Sequence, residues 1–211
     1  QVLVLCPTRE LAIQTAEEFQ NVLQFTQGIR VLPIYGGQSI DRQIMALKKR
    51  PQIIIGTPGR VMDHMRRSTL KLGGLKMLVL DEADEMLSMG FQEDIDTILQ
   101  KTPEDKQTVL FSATMSKAIL GITHKYQNNP EHIKVAHKQV TVPGIAQYYL
   151  EVRDASKIDV LSRMIDGHNI GVAIVFCNTK RRVDALTLGL RARGYLAEAI
   201  HGDIRQNERT A

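Results

Sequence analysis

The stretch Met77-Leu78-Val79-Leu80-Asp81-Glu82-Ala83-Asp84 sets the fold. Four apolar residues in a row suit a strand covered on both faces, and the carboxylates behind them mark where it leaves the core. Similar runs of four to six residues recur at 2–6, 31–35, 52–56, 76–80, 108–111, 172–177 and 196–200. Helical patterns lie between them. Phe91, Ile95, Ile98 and Leu99 follow the i, i+4, i+7, i+8 spacing of one buried face, and Val183, Leu186 and Leu190 do so at i, i+3, i+7. This alternation predicts α/β units with parallel sheets and right-handed crossovers.

Open α/β sheets bind ligands beyond the carboxyl ends of their strands, so the residues just past each run carry the chemistry. Asp81 stands where a carboxylate could hold a hydrated Mg²⁺ beside nucleotide phosphates, and Glu82 where it could orient and deprotonate a water. The alternative is an acidic first helical turn that complements the helix dipole. After Leu110-Phe111 come Ser112-Ala113-Thr114, whose hydroxyls could bond a carboxylate on a neighbouring strand end such as Asp84, or could cap the helix starting near Ser116. Thr57-Pro58-Gly59-Arg60 joins a strand to a helix whose first turn leaves N–H groups free for anions. Pro7-Thr8-Arg9 repeats those parts, and Gly36-Gly37 permits close backbone approach.

The two halves echo each other. Leu3-Val4-Leu5-Cys6-Pro7-Thr8-Arg9 and Ile174-Val175-Phe176-Cys177-Asn178-Thr179-Lys180 each read as an apolar strand, Cys-x-Thr-basic, then a helix. Each is followed by a strand ending in glycine, Ile34-Tyr35-Gly36-Gly37 and Ile200-His201-Gly202-Asp203. Two related α/β domains in tandem are expected, spanning 1–137 and 145–211. A linker over 138–144 carries the breaker Pro143-Gly144, and a short strand at His132–Val135 precedes it.

Composition narrows the class. The 211 residues are 43% hydrophobic and 24% charged, which excludes disordered and fibrous chains. No apolar run nears the roughly 18 residues that cross a bilayer. Cys6 and Cys177 cannot build a disulfide framework or a zinc site, and a reducing cytosol is expected. Both are expected to end buried strands and to pack as small hydrophobes. The six histidines have no metal-ligand spacing, and there is no Gly-x-Ser-x-Gly elbow. Net charge is +4, divided between the halves without a basic block. With 5% aromatics and no Trp, a base-stacking platform is not expected, so any nucleic acid would be held by its backbone.

Taken in order, Pro7-Thr8-Arg9-Glu10-Leu11-Ala12, Gly36-Gly37, Thr57-Pro58-Gly59-Arg60, Asp81-Glu82-Ala83-Asp84, Ser112-Ala113-Thr114, Ile174 to Thr179, and His201-Gly202-Asp203 with Gln206 and Arg209 resemble the DEAD-box family of ATP-dependent RNA helicases. The resemblance spans essentially the whole chain. It implies two tandem RecA-like domains, ATP and Mg²⁺ as nucleotide and ion, and an RNA-dependent ATPase that locally separates RNA duplexes. It implies that Asp81 coordinates Mg²⁺ through water, that Glu82 positions the attacking water, and that Asp84 pairs with Ser112 and Thr114. It implies an RNA grip by Pro7, Thr8, Arg9, Gly36, Gly37, Thr57, Pro58, Gly59 and Arg60 in the first domain. In the second, Asn178, Thr179, Lys180, Gly202, Asp203, Gln206 and Arg209 would do the same.

A cytoplasmic monomer without membrane contact is expected. The alternatives are an RNA-binding clamp that does not unwind, and a DNA helicase or remodelling ATPase on the same fold. No Gly-x-x-x-x-Gly-Lys-Ser/Thr phosphate loop occurs in the chain. Gln1 opens directly onto a strand pattern, and Gln206 to Ala211 reads as a helix start. Both domains are therefore expected to be truncated, the chain to be an internal piece of a longer one, and this piece alone to turn over no ATP.

Overall fold

The computed structural model describes residues 1–135 and 145–204. The chain divides into two compact units, Gln1–Lys134 and Val135–Ala211. The expected linker at 138–144 lies outside the described residues.

In the first unit β1 (Val2–Leu5), β2 (Val31–Ile34), β3 (Ile53–Gly56), β4 (Met77–Leu80) and β5 (Gln107–Leu110) form one sheet in the order β2-β3-β1-β4-β5. Every pairing is parallel, with Val4 opposite both Ile55 and Val79, and Leu80 opposite Leu110. The crossovers carry α1 (Arg9–Val22), α2 (Ile40–Leu47), α3 (Pro58–Arg66), and the pair α4 (Ala83–Ser88) and α5 (Gln92–Gln100). Helix α6 (Lys117–Tyr126) follows β5. The two outer strands carry the polar or proline residues. Pro33, which donates no ladder bond, sits in the edge strand β2, and Gln107 opens the other edge strand.

Strand alternation divides the core into two layers. Leu3, Leu5, Leu78 and Leu80 point to one face and meet Val61, Met86, Ile95, Ile98 and Ile119. Val4, Cys6 and Ile55 point to the other and meet Ala12 and Ala16 of α1. Those two alanines, four residues apart, let α1 lie close against the sheet. Gly56 ends β3 for a related reason: a Cβ there would come within 2.8 Å of Ile34 Cγ1 and of Val61 Cγ2.

The second unit contains a 3-10 turn (Asp154–Ser156), α7 (Lys157–Gly167) and α8 (Lys180–Arg191). Leu190 is buried, with Val183 and Leu186 partly so, as the helical spacing predicted. Tyr195 donates its hydroxyl to Asp166 Oδ1 at 2.8 Å, and Arg193 meets Asp159 at 2.5 Å. The strands expected at 172–177 and 196–200 are not formed, nor is the one at His132–Val135. Val172 and Phe176 are 91% and 92% exposed, and Cys177 lies on an irregular segment where a strand end was expected. The physical reason is pairing. A parallel strand obtains its backbone bonds from neighbouring strands, and the described residues of this unit offer none. Among the described residues no helix is long and apolar enough to cross a membrane.

Candidate nucleotide and nucleic-acid edge

The strand order brings five loops to one rim of the first unit. Along it stand Gly36-Gly37 after β2, Thr57–Arg60 after β3, Pro7–Arg9 after β1, Asp81–Asp84 after β4, and Ser112–Thr114 after β5. Neighbouring strands lie about 4.8 Å apart, so the Arg60 and Asp81 corners are separated by one strand and roughly 10 Å.

Each corner is built locally. Thr8 caps α1, its Oγ1 accepting the Leu11 amide at 3.2 Å. Arg9 folds back over Gly37, which has φ +84°, and any Cβ on Gly37 would collide with the Arg9 guanidinium. Pro58 occupies the first turn of α3, preset for a helix start.

The carboxylate corner has a different construction. Backbone bonds stitch it to its neighbours, the Asp81 amide donating to Leu5 O at 2.9 Å and the Ala83 amide to Phe111 O at 3.0 Å. Between them Glu82 adopts left-handed geometry (φ 49°, ψ 53°), which costs a non-glycine residue about 1–2 kcal/mol. This kink turns β4 into α4 without an intervening loop. Asp81, Glu82, Asp84, Glu85, Phe111, Ser112 and Ala113 line an open depression of about 470 Å³. Carboxylate oxygens at a strand end are the donor type that suits Mg²⁺, which keeps several of its waters when bound. The field of this corner reaches β1. The Cys6 thiol is pushed up to about 12, mainly by burial, with Asp81 and Glu82 adding to the rise and a hydrogen bond with Thr15 opposing it.

Asp84 is tied across to the next strand end. Its Oδ2 accepts both the Thr114 amide and the Thr114 hydroxyl at 2.9 Å, while Ser112 Oγ donates to Thr114 O at 2.6 Å. Helix α6 is capped instead by Ser116, so Thr114 is not needed as a cap. Burial would raise the Asp84 carboxyl, but bonds from the Thr114 side chain, Ser112 and the Thr114 amide outweigh it and hold the group below its ordinary 3.8. A carboxyl depressed in this way stabilises the fold above its unfolded pKa, and that contribution is lost as pH falls through the lower folded value. Protection of the Thr114 amide, taken relative to its intrinsic exchange rate, is expected to persist at mildly acidic pH and to vanish below the ordinary carboxylate range. Hydrogen exchange down an acid series measures it.

One group of residues escaped the sequence reading. Gln43, 2% exposed, and His64, fully buried, form a polar chain beneath Arg60. Arg60 Nη1 donates to Gln43 Oε1 at 3.1 Å and to Gln38 O at 3.2 Å, and His64 Nε2 lies 3.0 Å from the same Gln43 oxygen. The signal was present: in α2, Ile40, Gln43, Ile44 and Leu47 form an i, i+3, i+4, i+7 stripe with a polar residue in an apolar place.

In the second unit Thr179 caps α8 as Thr8 caps α1, accepting the Arg182 amide at 3.3 Å. Lys180 Nζ meets Asp203 Oδ1 at 2.5 Å, and His201 Nε2 lies 2.9 Å from Asp184 Oδ1. The structure thus brings Thr179, Lys180, Gly202 and Asp203 to the start of one helix, with Asn178 exposed beside them. Gln206 and Arg209 lie outside the described residues.

Comparison with known families accounts for this arrangement. The DEAD/DEAH box helicase family model matches residues 1–122, and the helicase conserved C-terminal domain model matches residues 156–211. The chain is a DEAD/DEAH box helicase family member. It is 55% identical over 209 residues to the DEAD-box ATP-dependent RNA helicase CshA of Bacillus cereus and equally so to that of Geobacillus kaustophilus. The CshA protein of Bacillus subtilis is 53% identical. In each case 99% of the chain is covered, while the chain spans only 40% to 44% of those relatives' length. The crystal structure of a DEAD box protein from the hyperthermophile Methanococcus jannaschii matches 99% of the chain and 56% of its own, with a TM-score of 0.62 at 42% identity. The DEAD box itself is the carboxylate corner, and the Arg60 corner stands on the same rim of the DEAD/DEAH box sheet.

Proposed function

We propose that the full-length protein is an RNA-dependent ATPase that locally unwinds RNA duplexes. The observation that best supports this reading is the strand order β2-β3-β1-β4-β5, in which three phosphate-type corners and two nucleotide-type corners share a rim.

On this reading the residues divide the work. Glu82 accepts a proton from the water that attacks the terminal phosphate of ATP. Asp81 is the residue that would hold Mg²⁺ through water, and the ion when bound would supply positive charge beside the phosphates. Asp84, held by Thr114 with Ser112 behind it, ties the nucleotide corner to the end of β5. Thr8, Arg9, Thr57 and Arg60 grip RNA phosphates and sugars, with Pro7 and Pro58 fixing the corner geometry and Gly36, Gly37 and Gly59 leaving room for the strand. Asn178, Thr179, Lys180, Gly202, Asp203, Gln206 and Arg209 do the same from the second unit. A strand bent by this grip cannot stay in a duplex, so a few base pairs separate, and hydrolysis releases it. Preference for RNA over DNA follows from 2′-hydroxyl contacts. Both cysteines are free, which fits a reducing compartment, and we assign the protein to the cytoplasm as a monomer.

The test is ATP hydrolysis by the full-length protein with and without single-stranded RNA, alongside separation of a short duplex. RNA-stimulated turnover with unwinding is expected. Turnover without strand separation would favour the clamp instead, and equal stimulation by DNA would reject the RNA assignment. Backbone recognition also sets a salt dependence. If Arg9, Arg60, Lys180 and Arg209 each neutralise one phosphate, log affinity for single-stranded RNA should fall against log salt with a slope of about −3. A flat salt titration would remove the phosphate grip.

A further inference from the structure

To grip a phosphate, Arg60 must be aimed at it. Arg60 lies at the surface edge of α3, where a long cation ordinarily samples many rotamers and loses them on binding. Here its Nη1 is anchored twice, to Gln43 Oε1 and to Gln38 O. Both anchors use one nitrogen, which leaves the other two for a ligand.

The anchor is itself fixed from behind. Gln43 Nε2 donates to Tyr35 O and to Gln38 Oε1, both at 3.0 Å, so the amide oxygen must face Arg60 and His64. His64 Nε2 then carries the proton shared with that oxygen. His64 Nδ1 lies 2.8 Å from Thr69 Oγ1, which closes the chain. His64 is fully buried, and burial, with the positive charge of Arg60 adding, holds it below its ordinary value and hence neutral at neutral pH. Every polar group in the row has a partner, which is the condition under which a buried polar network rigidifies its surroundings. A row that only held α2 against α3 could end at Gln43 and His64. This one continues outward to Arg60, the cation in the first turn of α3.

We propose that Gln43 is a positioning residue for nucleic acid: backed by His64 and Thr69, it holds the Arg60 guanidinium pre-aimed at a backbone phosphate on the rim. The inference rests on the reading of that rim as an RNA grip. Fixing one long side chain in advance spares its ordering on binding, an effect of about three- to tenfold in affinity.

The test uses the full-length protein and a fluorescein-labelled oligouridylate, with affinity read by anisotropy. Arg60→Ala is expected to weaken binding at least tenfold. Gln43→Met is expected to weaken it about three- to tenfold, and to add nothing once Arg60 is alanine. Arg60→Lys keeps the charge but cannot keep both the anchors and a free fork. It should lose several-fold in affinity with an unchanged salt slope. This conservative variant at the surface edge of α3 decides the matter if Gln43→Met fails to fold by circular dichroism. Wild-type affinity in folded Gln43→Met or in Arg60→Lys overturns the proposal, and so does an equal loss from Gln43→Met with and without Arg60. If Arg60→Ala itself binds normally, the rim reading fails along with it. A loss in Arg60→Ala beside a neutral Gln43→Met removes this inference alone.

Discussion

Glu82→Gln in the full-length protein is expected to lower RNA-stimulated ATP hydrolysis by about 10²- to 10⁴-fold, the span that a positioned general base contributes. The substitution keeps size and shape and removes only the ability to take a proton. The strand end around it is held by backbone bonds from Asp81 to Leu5 and from Ala83 to Phe111, which the change leaves in place. Binding of ATP and of RNA should therefore survive while turnover is lost, and a steady-state assay beside a binding titration separates the two. Equal loss of both would mean that the kink had collapsed. Glu82→Gly sharpens the point. Glycine enters the left-handed region without the cost that glutamate bears, so the fold should gain up to ~1 kcal/mol while hydrolysis falls as far as in the glutamine variant. A residue kept in an unfavourable conformation against its own stability fits a catalytic assignment better than a structural one.

The second large effect concerns the frame. Leu80 is fully buried in β4, pairs with Leu5 and Leu110, and lies directly before Asp81. Leu80→Ala removes a side chain from the core layer that also holds Met86, Ile95 and Ile119, and close-packed neighbours fill such a gap only in part. A loss of about 2–5 kcal/mol is expected. A chain of two units does not unfold in one step, so the loss should be read as faster hydrogen exchange of β1, β4 and β5 amides. The exposed Leu188 of α8 is the control, since its truncation should leave those amides unchanged.

The five-stranded frame was legible because a central parallel strand is apolar on both faces. Leu3-Val4-Leu5 and Ile53-Ile54-Ile55 say so without help from the rest of the chain. The runs at 172–177 and 196–200 look the same but mark only a tendency to be covered. Whether Val172 and Phe176 enter a sheet depends on which strands stand beside them, and no local pattern contains that. At the site, the identity of the acids and hydroxyls could be read from their place after apolar runs. What could not be read was the bond from Asp84 to Thr114 in preference to a helix cap, because residues thirty positions apart meet only through strand order. The left-handed turn at Glu82 was equally hidden, since glutamate gives no local sign of it. Gln43 was a different case. Its place within an apolar stripe was visible, and reading that mismatch as a buried partner would have found the support under Arg60.

Because all five strands run the same way, α1 and α3 open at the same rim, with the positive ends of their helix dipoles beside Thr8 and Thr57. If the rim grips RNA as proposed, part of the pull on the polyanion comes from main chain. It neither titrates nor can be acetylated, and the isoelectric point of the chain is correspondingly a poor guide to how firmly a thread of phosphates is held.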